Sequence, residues 1–111
     1  MDKKDFYHLH SELCKTLSHP KRQEILDILR DKEVSVNKLV EMTGMSQSNL
    51  SQHLAIMRSK GVLKVRQDGL YIHYSIKNMK ILRAFDLISD VLKESIEDQN
   101  NMVKKVMGKR Y

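Results

Sequence analysis

Four polar side chains set at helical spacing carry the clearest chemistry in this chain: Gln47, Ser48, Ser51 and Gln52. They lie within residues 45–59, MSQSNLSQHLAIMRS. Read at 3.6 residues per turn, Leu50, Leu54 and Met57 share one face, and Gln47, Ser48, Ser51, Gln52, Ala55 and Ser59 gather on the other. That second face is small, polar and uncharged, whereas an ordinary solvated helix carries Lys and Glu there. Amides and hydroxyls on short stems suit close approach to base edges in a DNA major groove. The spacing therefore predicts a recognition helix, in a chain that binds DNA. Gln47 and Gln52 suit adenine edges, and Ser48 and Ser51 suit bases or phosphate. The plainer reading, solvated amides, has to account for the charges around them: residues 42–67 contain no Asp or Glu but hold His53, Arg58, Lys60, Lys64 and Arg66. Arg58, Lys60, Lys64 and Arg66 are the expected backbone contacts, with a steep salt dependence.

The whole chain, 111 residues with a net charge of +6, is one domain's worth of sequence and favours a polyanionic partner. A core this small gains from oligomerisation. One cysteine, Cys14, allows no internal disulfide and fits a reducing cytosol. No apolar run approaches the ~18 residues of a membrane span, and the first ten residues lack the apolar core of a secretory signal. A cytoplasmic protein with no membrane partner is expected. No Gly-rich phosphate loop, Ser/His/Asp set or closed metal constellation is visible, which argues against an enzyme. Asp86 and Asp90 share a helix side, where a solvated edge accounts for them.

The elements that must position the polar face follow in order. Phe6, Leu9, Leu13 and Leu17 repeat on one side of a first helix, residues 4–17. Ser18-His19-Pro20 restarts the chain into a second helix reaching about Arg30, with Ile25, Ile28 and Leu29 inward. Residues 31–33 read as a polar connection. Ser35 caps a short helix over 36–43, Gly44 ends it, and Ser46 caps the next. Helix, turn with Gly, helix is the helix-turn-helix pattern, over residues 36–60. Val40, Gly44 and Leu50 sit where its two helices would approach closely. After Gly61, Asp68-Gly69 reads as the two-residue turn of a hairpin over 62–76. Pairing about that turn puts Leu63 with Tyr74 and Val65 with Ile72 inward, and Lys64 with His73 and Arg66 with Tyr71 outward. The outward face is basic and aromatic, and a hairpin so placed is a wing reaching the DNA backbone or minor groove. Tyr74 reads as core; Tyr71 is free to touch the backbone. The last helix starts near Asn78 and runs at least to Glu97, a span taken as 78–99. Ile81, Phe85, Ile88, Leu92 and Ile96 form one stripe, and Leu82, Ala84, Leu87 and Val91 widen it. One arc suits the domain's own core and the other a second copy, unless the monomer buries the whole helix. Residues 100–111 form a basic tail expected to fray.

Three stretches, LSHPKRQEIL at 17–26, MSQSNLSQHL at 45–54 and DGLYIHYSI at 68–76, resemble the ArsR (arsenical-resistance repressor) type of winged helix-turn-helix regulator in order and spacing. The resemblance covers roughly residues 9–92. It implies a mainly α fold with a small β-hairpin, in the order α-α-α-α-β-β-α. It also implies a homodimer built on the first and last helices, through Phe6, Leu9, Leu13, Phe85, Ile88 and Leu92. Such a dimer would bind a palindromic operator in double-stranded DNA and usually repress transcription until an inducer weakens the complex. By the family pattern Ser46, Gln47, Ser48, Ser51, Gln52 and His53 face DNA, and Arg66, Gly69 and Tyr71 belong to the wing. His53 has two readings, phosphate contact and hydrogen-bonded structural histidine.

The family's familiar metal sites do not carry over. The helix at 36–43 has no thiol, and the last helix has Asp86 and Asp90 but no His. No cofactor is certain. One pair remains for sensing: His10 and Cys14, four apart with Tyr7 beside them, suit a metal ion completed by a partner chain, or a redox-active thiol. The simpler alternative makes Cys14 a small buried apolar residue. Two rival functions stay open, a non-specific architectural DNA-binding protein and a winged-helix module for protein contact. The first would carry charge on its reading face; the second would ignore DNA at low salt.

Overall fold

The computed structural model describes residues 1–108. Its elements are α1 (Lys3–Thr16), α2 (Pro20–Ile28), β1 (Val34–Ser35), α3 (Val36–Thr43), α4 (Gln47–Ser59), β2 (Leu63–Asp68), β3 (Tyr71–Ile76) and α5 (Met79–Met107). The strands form one antiparallel sheet in the order β1-β3-β2. The mainly helical winged helix-turn-helix expected from the sequence is what the chain adopts, with β1 as an addition.

Local chemistry sets most boundaries. Asp2 and Asp5 form a reciprocal capping box at the start of α1. The cap of α2 is His19 rather than Ser18: its Nδ1 accepts the Lys21 amide at 3.1 Å, while Ser18 turns back to the Lys15 carbonyl. Ser35 and Ser46 cap α3 and α4 by accepting the amides of Lys38 and Asn49, each at 3.2 Å. Gly44 closes α3 at φ 68°, the left-handed conformation that favours glycine. The close approach expected there is absent, since a Cβ at Gly44 would meet nothing within 4 Å. Glycine is needed at this point for backbone conformation, not for space.

The core of the part up to Met79 is built by Ile25, Leu26 and Leu29 of the α2 segment, Leu39, Met45, Leu50, Leu54 and Met57, Val62 just before β2, and Val34, Leu63 and Ile76 of the sheet. The inward set of the second helix differs from expectation. Leu26 is fully buried, whereas Ile28 is only half-buried. Burying Leu50, Leu54 and Met57 contributes about 1.5–3 kcal/mol per side chain and orients α4.

The hairpin keeps its expected faces but not its register. Asp68 pairs with Tyr71, so the two turn residues are Gly69 and Leu70, not Asp68 and Gly69. Gly69 has φ 60° and Leu70 is not in the positive region, the pattern of a type II′ turn with glycine first. The partners become Leu63–Ile76, Val65–Tyr74, Lys64–Ser75 and Arg66–His73. The sum of paired positions moves by an even number, so no side chain changes face. Half-buried Tyr74 lies between Val65 and Val34 of β1.

From Lys80 onward α5 forms a compact unit of its own. It is longer than the 78–99 expected: the basic stretch from Asn100 is helical as far as Met107, and residues 109–111 of that predicted tail lie outside the described residues. Leu82 is buried and Phe85 half-buried, while Leu87, Ile88, Val91, Leu92 and Ile96 are exposed. Among the described residues no helix is long and apolar enough to cross a membrane.

Candidate nucleic-acid interface

Helix α4 offers solvent the face that the sequence singles out. Gln47, Ser48, Ser51, Gln52, Ala55, Arg58, Ser59 and Lys60 are exposed, opposite the buried Leu50, Leu54 and Met57. The side chains of Gln47, Ser48, Ser51 and Gln52 make no hydrogen bond among the described residues, so their donors and acceptors stand open to a partner. Ser46 differs, because its hydroxyl oxygen is engaged at the cap. Arg58, Lys60 and Lys64 are exposed and form no ion pair among the described residues. A cleft of about 210 Å³ lies between α4 and the wing. Asn37, Gln47, Ser51, Leu54, Leu70 and Tyr74 contribute to its walls, so the N-terminal half of α4 and the wing tip border one surface.

Arg66 has a different situation from the one its sequence position suggests. Its Nε donates to both carboxylate oxygens of Glu33, at 3.0 and 3.1 Å, and its Nη2 donates to Oε1 at 2.6 Å. Its Nη1 lies 3.8 Å from Asp68. The hydrogen bonds from Arg66 hold the Glu33 carboxyl below its ordinary value, helped by the charges of Arg66, His73 and Lys64. The same contact raises Arg66 further. This forked pair fastens the wing to the segment before β1 and takes up the guanidinium fork that would otherwise meet phosphate. Sequence reasoning missed Glu33 because it lies 33 positions away, just before a strand of two residues. Tyr71 is exposed and faces Asp68 across the hairpin, on the side of Arg66 and His73.

His53 leans toward α2. It is half-buried, and its Nδ1 accepts a hydrogen bond from Arg22 Nε at 3.2 Å. Its ring lies 4.7 Å from that of His19, centroid to centroid. Burial chiefly, then the neighbouring charges of His19, Arg22 and Lys21, push its pKa below the ordinary 6.5. Of the two readings of His53, this geometry supplies the partner the structural one requires. Arg22 went unnoticed in the sequence, although its place in the SHPKR stretch was visible.

At the other end, His10 Nδ1 and Cys14 Sγ approach to 3.5 Å, and Phe6 rather than Tyr7 stands against the His10 ring, at 6.2 Å. Cys14 is exposed in the single chain, so any burial of its thiol would have to come from a second copy. The described residues contain no group of three or more His, Cys, Asp or Glu able to hold a metal ion. Phe6 and Leu9 of α1 are exposed and Leu13 is half-buried.

Comparison with known proteins agrees with this geometry. The family model for bacterial regulatory proteins of the arsR family matches residues 19–65, from the cap of α2 into β2. The HTH-type transcriptional regulator Rv0081 of Mycobacterium tuberculosis is 36% identical over 100 residues, covering 89% of this chain and 88% of the relative. Its crystal structure superposes with a TM-score of 0.79 at 37% identity, over 85% of this chain and 95% of that one. The transcriptional repressor PagR of Bacillus anthracis is 38% identical over 82 residues, 73% of this chain and 82% of PagR. A solution structure of the homodimeric winged helix-turn-helix DNA-binding domain of Mb0332 from Mycobacterium bovis matches with a TM-score of 0.76 at 28% identity, over 85% of this chain and 88% of that one. With its capped helix-turn-helix, its wing and these relatives, the chain belongs to the ArsR family of bacterial transcriptional regulators, DNA-binding winged helix-turn-helix proteins and not enzymes.

Proposed function

We propose that this regulator is a homodimeric repressor of a palindromic operator, and that α4 reads its bases through Gln47, Ser48, Ser51 and Gln52. The observation that carries the reading is the face of α4 itself: uncharged, exposed, and with hydrogen-bonding groups that no described residue occupies. Such a face carries none of the charge that would hold phosphate non-specifically, and its amides and hydroxyls match the donors and acceptors of base edges. Arg58, Lys60 and Lys64 supply the phosphate contacts, and the wing adds Gly69 and Tyr71.

Dimerisation through α1 and α5 is supported by the apolar side chains each leaves exposed, Phe6 and Leu9 on one and Ile88 and Leu92 on the other. The homodimeric form of the Mb0332 domain supports it too. Two-fold symmetry would set the recognition helices about 34 Å apart, one turn of DNA. Repression follows the named role of PagR, and the signal that ends it acts on this dimer through a metal, a redox change or another ligand. The test is selection of bound duplexes from a random pool, repeated with zinc, copper(I), arsenite and an oxidant. Enrichment of an inverted repeat supports the reading. Uniform recovery of all sequences identifies an architectural protein instead, and no recovery at low salt a protein-contact module.

A further inference from the structure

The wing of this protein ends in an exposed apolar residue. Leu70, the second residue of the II′ turn, is 97% exposed, and it is followed by Tyr71 at 58% and Ile72 at 42%. A lone exposed leucine carries no message, but this one belongs to a run of three and borders the same cleft as Gln47 and Ser51. The hairpin behind it is also poorer in available charge than its sequence suggests. Arg66 is engaged by Glu33 and lies beside Asp68, and Asp68 is itself an acid two residues from the tip. A wing that holds DNA through cations would leave its arginine open and its tip polar.

We infer that Leu70 is an apolar minor-groove contact, seated against deoxyribose and the groove floor when α4 occupies the adjacent major groove. This deepens the proposed function and rests on it. The occupant is DNA because the tip continues the surface that α4 presents, and because apolar wedges of this kind are the side chains that proteins place in minor grooves. Gly69 gives the turn its conformation. Gln67 Nε2 donates to the Gly69 carbonyl at 3.3 Å and braces the loop, so Leu70 is held outward without help from the core. Leu70 therefore determines fit at base pairs that α4 does not reach.

The experiment compares wild type with Leu70→Ser on the duplex that wild type selects, across a salt series. Full exposure of Leu70 means that the variant keeps the wild-type melting temperature. Its affinity should fall about tenfold, the low end for burying one leucine, with an unchanged slope of log affinity against log salt, because no charge has been removed. A second arm sets the base pairs beneath the wing, located by footprinting, to I·C or G·C. Guanine's N2 amino group occupies the minor-groove floor and inosine lacks it. The advantage of wild type over the Leu70→Ser variant should persist on I·C and shrink on G·C. Equal affinity of the two proteins, or an equal advantage on both duplexes, overturns the inference while leaving base reading by α4 intact. Failure of wild type to select any duplex overturns both.

Discussion

Protonation of His53 should loosen the seat of the recognition helix, and the structure gives the sign of the effect. His53 Nδ1 is the acceptor for Arg22 Nε, and Arg22 keeps only a long second bond, Nη1 to the Thr16 carbonyl at 3.5 Å. A histidinium has no acceptor, and its charge would stand beside Arg22 and near Lys21 and His19. The folded pKa lies below 6.5, so the folded chain prefers neutral His53. The unfolded chain then binds more protons as pH drops below 6.5. The stabilisation is complete above that pH and is lost as pH falls toward the depressed folded value. A hydrogen bond from a charged donor contributes about 1.5–3 kcal/mol, and half-burial puts this one near the lower end. Replacing His53 with Phe should therefore cost about 1.5 kcal/mol at pH 7.5, or about 5–10 °C in melting temperature for a chain of this size. The assay is thermal and urea unfolding of both proteins from pH 7.5 to 5.0, at one protein concentration because a dimer's stability depends on it. His8, His10, His19 and His73 remain in both proteins, so the difference between them reports His53 together with its contact with His19. The gap should close as pH falls below 6.5. A gap that stays constant over that range would refute the reasoning.

Three further outcomes follow from the same geometry. Substituting Glu33 by Gln releases Arg66, so DNA affinity at low salt should rise and the slope of log affinity against log salt should steepen by about one phosphate contact; an unchanged slope in a salt titration would show that Arg66 faces away from DNA. Changing Ile88 and Leu92, 71% and 60% exposed, to Lys should yield folded monomers with much weaker operator binding; sedimentation equilibrium still showing dimers would remove α5 from the interface. Gly44→Ala places a Cβ in a left-handed conformation with no steric neighbour, so it should cost about 1–2 kcal/mol through backbone strain alone. Chemical denaturation showing no loss would mean that the backbone relaxes at this cap.

The helix-turn-helix was legible because its signals are local. Ser35, Gly44 and Ser46 act on amides and dihedral angles within a few residues, and Leu50, Leu54 and Met57 need only the helical period to find the core. The faces of the wing were legible for a similar reason, since alternation survives an even shift of register. The register itself was not. Asp-Gly favours a turn with both central residues at positive φ, whereas the chain places Gly69 first and Leu70 second. β1 could not be seen, because a two-residue strand has no period and its pairing with Tyr74 and His73 is long-range. The Arg66–Glu33 and Arg22–His53 partnerships span 33 and 31 positions, and no pattern in the chain announces either. The C-terminal extent of α5 was underestimated from charge, although residues 100–107 contain neither Gly nor Pro to stop a helix.

The central claim is that the uncharged side of α4 distinguishes bases. Its most direct test is competition between the selected duplex and a scrambled one at equal salt, for wild type and for Ser51→Ala/Gln52→Ala. Wild type should prefer the selected duplex by at least about 10³. The double variant should lose roughly 1–3 kcal/mol of that preference for each good base contact removed, while its affinity for scrambled DNA stays unchanged. If both affinities fall together, or if the preference survives intact, the polar face of α4 is not what reads the operator.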